Sequence, residues 1–219
     1  MSFRSQSGRK PVIGNSWNRI RSFGPENPLA ISITAFGEVP AGQIVRRGGA
    51  KPGDVIYVTG TIGDGAFGLD VLQGRCKSMD DDYLIDRYRL PQPRSNCVDL
   101  VREYASASMD VSDGLVGDLE QLCLAAGVGA KMNCGHVPFS RPVQSLIELD
   151  NRMKERAITG GDDYEILFTV PYQKADAFEA NCAEEVRHIG EIIDGSGLEV
   201  HTAEGERMNF HTSSWSHFD

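Results

Sequence analysis

The stretch Ala105-Ser106-Ala107-Ser108-Met109-Asp110-Val111-Ser112-Asp113-Gly114-Leu115 reads as a strand of small residues that ends in two carboxylates and a hydroxyl. It then turns straight into a helix, with Gly114 giving the backbone its freedom at the turn. Beyond it Leu115, Val116, Leu119, Leu122 and Ala126 fall at helical spacing, and Gly127 stops the helix. A helix N-terminus offers free N–H groups to an anion. Two carboxylates in front of it repel a bare phosphate unless a divalent cation sits between them. Asp-x-Ser-Asp at a strand-to-helix junction therefore points to phosphate held through Mg²⁺. The ordinary alternative is that Ser112 or Asp113 caps the helix and does nothing more.

Composition narrows the classes around that stretch. The 219 residues suffice for one large domain with a substantial core. A net charge of −9 argues against a nucleic-acid binder that works through a broad basic face. It is compatible with a nucleotide enzyme, whose Mg²⁺-binding carboxylates add to the acidic count. The five cysteines are widely spaced with no C-x-x-C, which argues against a disulfide framework or a zinc site and for a reducing cytoplasm. No apolar run approaches the ~18 residues of a membrane span.

Working outward along the chain, residues 1 to 25 carry five basic side chains and no acid, and read as a poorly ordered leader or a remnant of a preceding domain. Residues 1–28 are set apart on this ground from a domain at 29–219. The spacing predicts strands at 30–37, 55–59, 128–133, 166–170, 186–193 and 198–202, and helices at 83–88, 96–104, 115–126, 143–157 and 174–185. Gly60-Thr61-Ile62-Gly63-Asp64-Gly65 is neither a P-loop nor a dinucleotide fingerprint and reads as a tight structural turn. In Gly160-Gly161-Asp162-Asp163-Tyr164-Glu165, three carboxylates and two glycines crowd the start of a strand, where both residue types weaken strand formation. That conflict points to a ligand as much as to folding. Strands and helices mix without strict alternation, which predicts an α+β fold with a mixed sheet.

Six stretches together resemble the bacterial thiamine-monophosphate kinases, of the aminoimidazole-ribonucleotide-synthetase-like superfamily. They are Gly37-Glu38-Val39-Pro40, Arg47-Gly48-Gly49-Ala50-Lys51-Pro52-Gly53-Asp54, Tyr57-Val58-Thr59-Gly60-Thr61-Ile62-Gly63-Asp64, Asp110 to Leu115, Gly160 to Glu165, and Trp215-Ser216-His217-Phe218. They occur in the family's order. The resemblance implies the C-terminal α+β domain of that superfamily, a mixed sheet with helices on one face. It also implies direct transfer of the ATP γ-phosphoryl group to thiamine monophosphate, with Mg²⁺ and no phosphoenzyme.

Carried over by position, the resemblance makes Asp110 and Asp113 Mg²⁺ ligands, Arg47 and Ser112 contacts to ATP, and Asp162 and Trp215 contacts to the substrate. Asp162 is one methylene shorter than the family's glutamate, which leaves Asp163 as the alternative. The family's N-terminal domain, with most of its Mg²⁺ aspartates and its homodimer interface, has no counterpart ahead of Gly37, so a shortened chain with impaired activity is expected. The alternatives are a non-catalytic Mg²⁺- or nucleotide-binding module and another ATP-dependent enzyme of the same superfamily.

Overall fold

The computed structural model describes residues 33–34, 36–182, 185–208 and 210. Of the described residues, those up to Ile44 belong to one unit and those from Val45 to another. All helices and strands of the described residues belong to the second. Its strands are β1 (Val55–Thr59), β2 (Ala107–Val111), β3 (Gly129–Asn133), β4 (Glu165–Val170), β5 (Val186–Ile193) and β6 (Gly197–His201). They make one sheet in the order β2-β4-β1-β5-β3-β6, antiparallel throughout except for the parallel pair β3–β6. The helices are α1 (Asp64–Leu72), α2 (Asp81–Arg89), α3 (Val98–Tyr104), α4 (Leu115–Ala126), α5 (Arg141–Leu149), α6 (Arg152–Thr159) and α7 (Tyr172–Asn181).

The central strand β1 is buried along its whole length, which its Val-Ile-Tyr-Val-Thr composition suits on both faces. On one face Ile56, Val58, Leu167, Ala130 and Ile192 meet Leu115, Val116, Leu119 and Leu122 of α4. On the other, Tyr57 and Phe168 pack on Phe178 and Ala175 of α7, with Leu100, Val101 and Tyr104 of α3 beside them. The expected α+β fold with a mixed sheet is observed, but the helices are not confined to one face. The residue pattern explains why: β1 and β4 are apolar on both sides, and each side needs a cover. A third cluster joins Phe67 of α1, Leu84 of α2, Val143 and Leu146 of α5 and Ala157 of α6.

Local chemistry sets the ends of these elements. Asp80 accepts from the Tyr83 N–H and starts α2, and Ser140 accepts from the Val143 N–H and starts α5 with Pro142 in the first turn. The helix expected to reach 185 stops at Asn181. Of the strand expected at 30–37, residues Ile33, Thr34, Phe36 and Gly37 are described and none is in a strand. Alternation makes a strand only where a partner edge supplies the hydrogen bonds, and none of these four residues is paired among the described residues. The rest of that stretch lies outside the described residues.

Candidate active site

The strand directions fix where the site lies. Because β1 and β2 are both antiparallel to β4, the carboxyl ends of β1 and β2 and the amino end of β4 meet at one end of the sheet. Three loops converge there: 60–63 after β1, 112–114 after β2, and 160–164 before β4.

Backbone bonds zip the last two together. The Asp162 N–H donates to the Ser112 carbonyl at 2.9 Å, and the Tyr164 N–H donates to the Val111 carbonyl at 2.8 Å. The contact leaves no room for side chains at two positions. A Cβ on Gly161 would sit 2.3 Å from the Ser112 carbonyl oxygen, and one on Gly114, at φ +112, would sit 2.6 Å from that of Thr159. Asp162 and Tyr164 both hold positive φ, +70 and +53, a conformation that costs a bulky L-residue energy and concentrates at functional sites.

The first loop is tied in by Asp163. Its buried carboxylate accepts from Gly63 N–H at 2.8 Å and Gly65 N–H at 2.9 Å, at the entry to α1. Burial pushes this carboxyl up to about 8, against the pull of those two bonds. Asp163 is thus a strut between loops, and of the pair offered for substrate contact only Asp162 faces outward. The stretch that pointed to a ligand because it held three acids turns two of them inward. The second is Glu165, which accepts from Thr59 Oγ1 and from Arg94 Nε, each at 2.6 Å, and from Arg87 Nη2 at 2.8 Å.

Asp110 and Asp113 are exposed and Asp162 is half-buried, and none of the three makes an ion pair among the described residues. All three act on Tyr164. Its phenol, which hydrogen-bonds Asp162 Oδ1 at 3.2 Å, is raised by burial first and then by the charges of Asp162, Asp110 and Asp113. Hard, unpaired carboxylate oxygens on a loop end suit Mg²⁺. Asp110 and Asp113 are two such donors, and among the described residues no group of three His, Cys, Asp or Glu is placed to hold a metal. Two protein carboxylates with water and phosphate oxygens completing the shell is the usual way Mg²⁺ is bound.

A residue missed in the sequence lies beneath them. Asp118 of α4 is buried and accepts from the Ser112 N–H at 2.8 Å and the Asp113 N–H at 3.0 Å. Burial, with the charges of Asp113 and Asp110, pushes its carboxyl up to about 6. Its signal was there: a carboxylate four residues beyond a glycine turn, on the helix's buried side.

Arg47 is elsewhere. It sits exposed in a short 3₁₀ turn, Arg47–Gly49, whose Gly48 abuts the Ala125 carbonyl and whose Gly49 abuts that of Ser106. That is the far end of β2 and α4, and α4 has 12 residues, so about 18 Å separates the turn from the Asp110–Asp113 loop. The structure gathers Asp110, Ser112, Asp113 and Asp162 and leaves Arg47 apart. Trp215 lies outside the described residues.

A mixed α+β sheet with glycine-rich loops and outward carboxylates gathered at one end defines the class of domain. The chain belongs to the family AIR synthase related protein, C-terminal domain, which matches residues 51–203. Among curated relatives, the thiamine-monophosphate kinase of Salmonella typhimurium is 37% identical over 198 residues, 87% of this chain and 60% of that protein. The crystal structure of thiamine-monophosphate kinase from Stenotrophomonas maltophilia superposes with a TM-score of 0.69 at 33% identity, over 78% of this chain and 56% of that one. AaThiL complexed with AMPPCP and TMP superposes at 0.67 and 33% identity, over 80% and 54%. The chain therefore spans about half the length of the relatives it matches.

Proposed function

We propose that this chain carries the C-terminal half of a thiamine-monophosphate kinase site, in which ATP phosphorylates thiamine monophosphate to thiamine diphosphate. The observation that supports it best is the meeting of the Asp110–Asp113 and Gly160–Glu165 loops. It sets three carboxylates without ion-pair partners among the described residues at one sheet end, in a chain akin to a protein complexed with AMPPCP and TMP. In this reading Asp110 and Asp113 hold Mg²⁺, Ser112 contacts ATP, and Asp162 and Trp215 contact the acceptor. Bound there, Mg²⁺ supplies the charge neutralisation that phosphoryl transfer needs.

The chain's own residues supply placement. Asp163 and the strained Asp162–Tyr164 turn hold the acceptor loop against the Ser112 loop, and Asp162 presents its carboxylate from that fixed position. Arg47 meets the same nucleotide only if ATP lies along α4. Two carboxylates hold only part of the Mg²⁺ that neutralises a transferring phosphoryl group, so the chain alone is expected to bind Mg·ATP and turn over slowly or not at all. No helix of the described residues is long and apolar enough to cross a membrane, and the wide cysteine spacing with no C-x-x-C supports a reducing, cytoplasmic setting.

Calorimetric titration with Mg·ATP, parent against the Asp110→Asn, Asp113→Asn double variant, tests this. Binding by the parent that the double variant loses is the expected result. Equal binding by the two would place the nucleotide elsewhere, and no binding by a folded parent would remove the site from this chain.

A further inference from the structure

Resting on that reading, we infer that Asp118 is the positioning residue of the cation loop: its buried carboxylate fixes the Ser112–Asp113 backbone, and so sets where Asp113 reaches the metal beside Asp110 at the end of β2.

The loop is held by bonds on both edges. On one edge the carbonyls of Val111 and Ser112 are taken by the amides of Tyr164 and Asp162. On the other, the amides of Ser112 and Asp113 both donate to a single oxygen, Asp118 Oδ2. With the backbone thus satisfied, the side chains of Ser112 and Asp113 are what the loop presents outward, next to Asp110 in β2. Asp118 is itself 3% exposed and stands on a rigid base. Its own N–H makes the first α4 bond, to the Gly114 carbonyl, at 2.9 Å, and the neighbouring Val116 and Leu119 are in the main core. A buried acid would not be tolerated there for packing, since leucine or methionine would fill the space without a desolvation cost. What the acid adds is a double acceptor beneath two consecutive amides. Groups that orient metal ligands from behind typically change metal affinity 10–100-fold when removed.

Because one oxygen accepts both bonds, the chemistry separates hydrogen bonding from charge. Asp118→Asn keeps an amide oxygen for both N–H groups and removes the charge; Asp118→Ala removes both. Leu122→Ala, on the same buried side of α4 but away from the loop, controls for loss of stability. The probes are Mn²⁺ alone and Mg·ATP, titrated calorimetrically into the full chain, and amide hydrogen exchange at Ser112 and Asp113 without ligand.

We expect Mn²⁺ affinity within about threefold of the parent in Asp118→Asn and in Leu122→Ala, and a loss of about 10–100-fold in Asp118→Ala. The two amides should exchange faster in Asp118→Ala alone. Parent-like Mn²⁺ affinity in Asp118→Ala overturns the inference and leaves the proposed function standing. Equal losses in Asn and Ala overturn it in favour of a direct charge effect. A parent that binds neither Mn²⁺ nor Mg·ATP overturns the proposed function instead, and unprotected parent amides would then count against the anchoring role as well.

Discussion

Two sets of three carboxylates lie side by side at the loop end of the sheet and behave oppositely. Asp64, Asp163 and Glu165 are buried and saturated. Asp64 accepts from Thr61 Oγ1 at 2.6 Å, from the Tyr83 hydroxyl at 3.0 Å, from Ser140 Oγ and from Arg87 Nε, while Asp163 takes two amides and Glu165 two guanidiniums and a hydroxyl. Asp110, Asp113 and Asp162 face outward with no cation of the described chain against them. The lesson is about where the partners come from. A carboxylate that finds its donors inside the protein contributes to the fold, and one that does not is left for a ligand.

Variants can break this contrast, and their effects on stability should descend in order. Glu165→Ala leaves Arg94 without its carboxylate, strips Arg87 of one of two and frees Thr59, and should cost about 3 kcal/mol. That is the lower end for a broken buried pair, because Arg87 keeps Asp64 and Arg94 is partly solvated. Urea unfolding measures it.

Asp163→Ala orphans the Gly63 and Gly65 amides and should cost about 2 kcal/mol at acidic pH. The pH dependence has a definite sign. With its native carboxyl raised to about 8 from the usual 3.8, Asp163 keeps its proton in the folded chain where the unfolded chain has lost it. Its contribution is complete below about pH 4 and is lost as pH rises towards 8. Unfolding midpoints at pH 5 and pH 8.5 should therefore differ more in the parent than in Asp163→Ala.

Tyr164→Asn sharpens the comparison from the other side. Asparagine adopts positive φ more readily than tyrosine, so the variant should gain up to about 1 kcal/mol of stability. It should also weaken acceptor binding, because Asp162 loses its hydroxyl partner; a thermal melt and a titration with thiamine monophosphate read the two effects separately. The smallest change in stability belongs to Asp110→Asn with Asp113→Asn, within about 0.5 kcal/mol of the parent, since neither acid has an ion pair to lose among the described residues and Asp113 has only a long, exposed bond from Ser112 Oγ. If that pair instead destabilises like Glu165→Ala, the division into structural and ligand-facing acids fails.

Much of this was legible along the chain. The β2–turn–α4 unit is local chemistry: small and β-branched residues, a glycine at the turn, and apolar positions at helical spacing up to Gly127. The acidic loop at its junction follows from the same stretch. The helices on the second face of the sheet were not foreseen, because the apolar residues of β1 and β4 do not announce how many layers will cover them. Nor was the division within Gly160–Glu165. In sequence its acids are equivalent; in the fold, Asp163 points at the α1 entry and Glu165 at two arginines that are 71 and 78 positions away along the chain.

The sequence by itself thus determined the α+β class and the types of most elements from β1 onward, since those depend on neighbours a few residues apart. Only the tertiary structure decided which carboxylates are neutralised from within, that Asp118 stands under the Asp110–Asp113 loop, and that Arg47 lies at the other end of α4. Those outcomes depend on donors and acceptors brought together by folding, and hydrogen bonding and burial act across space rather than along the chain.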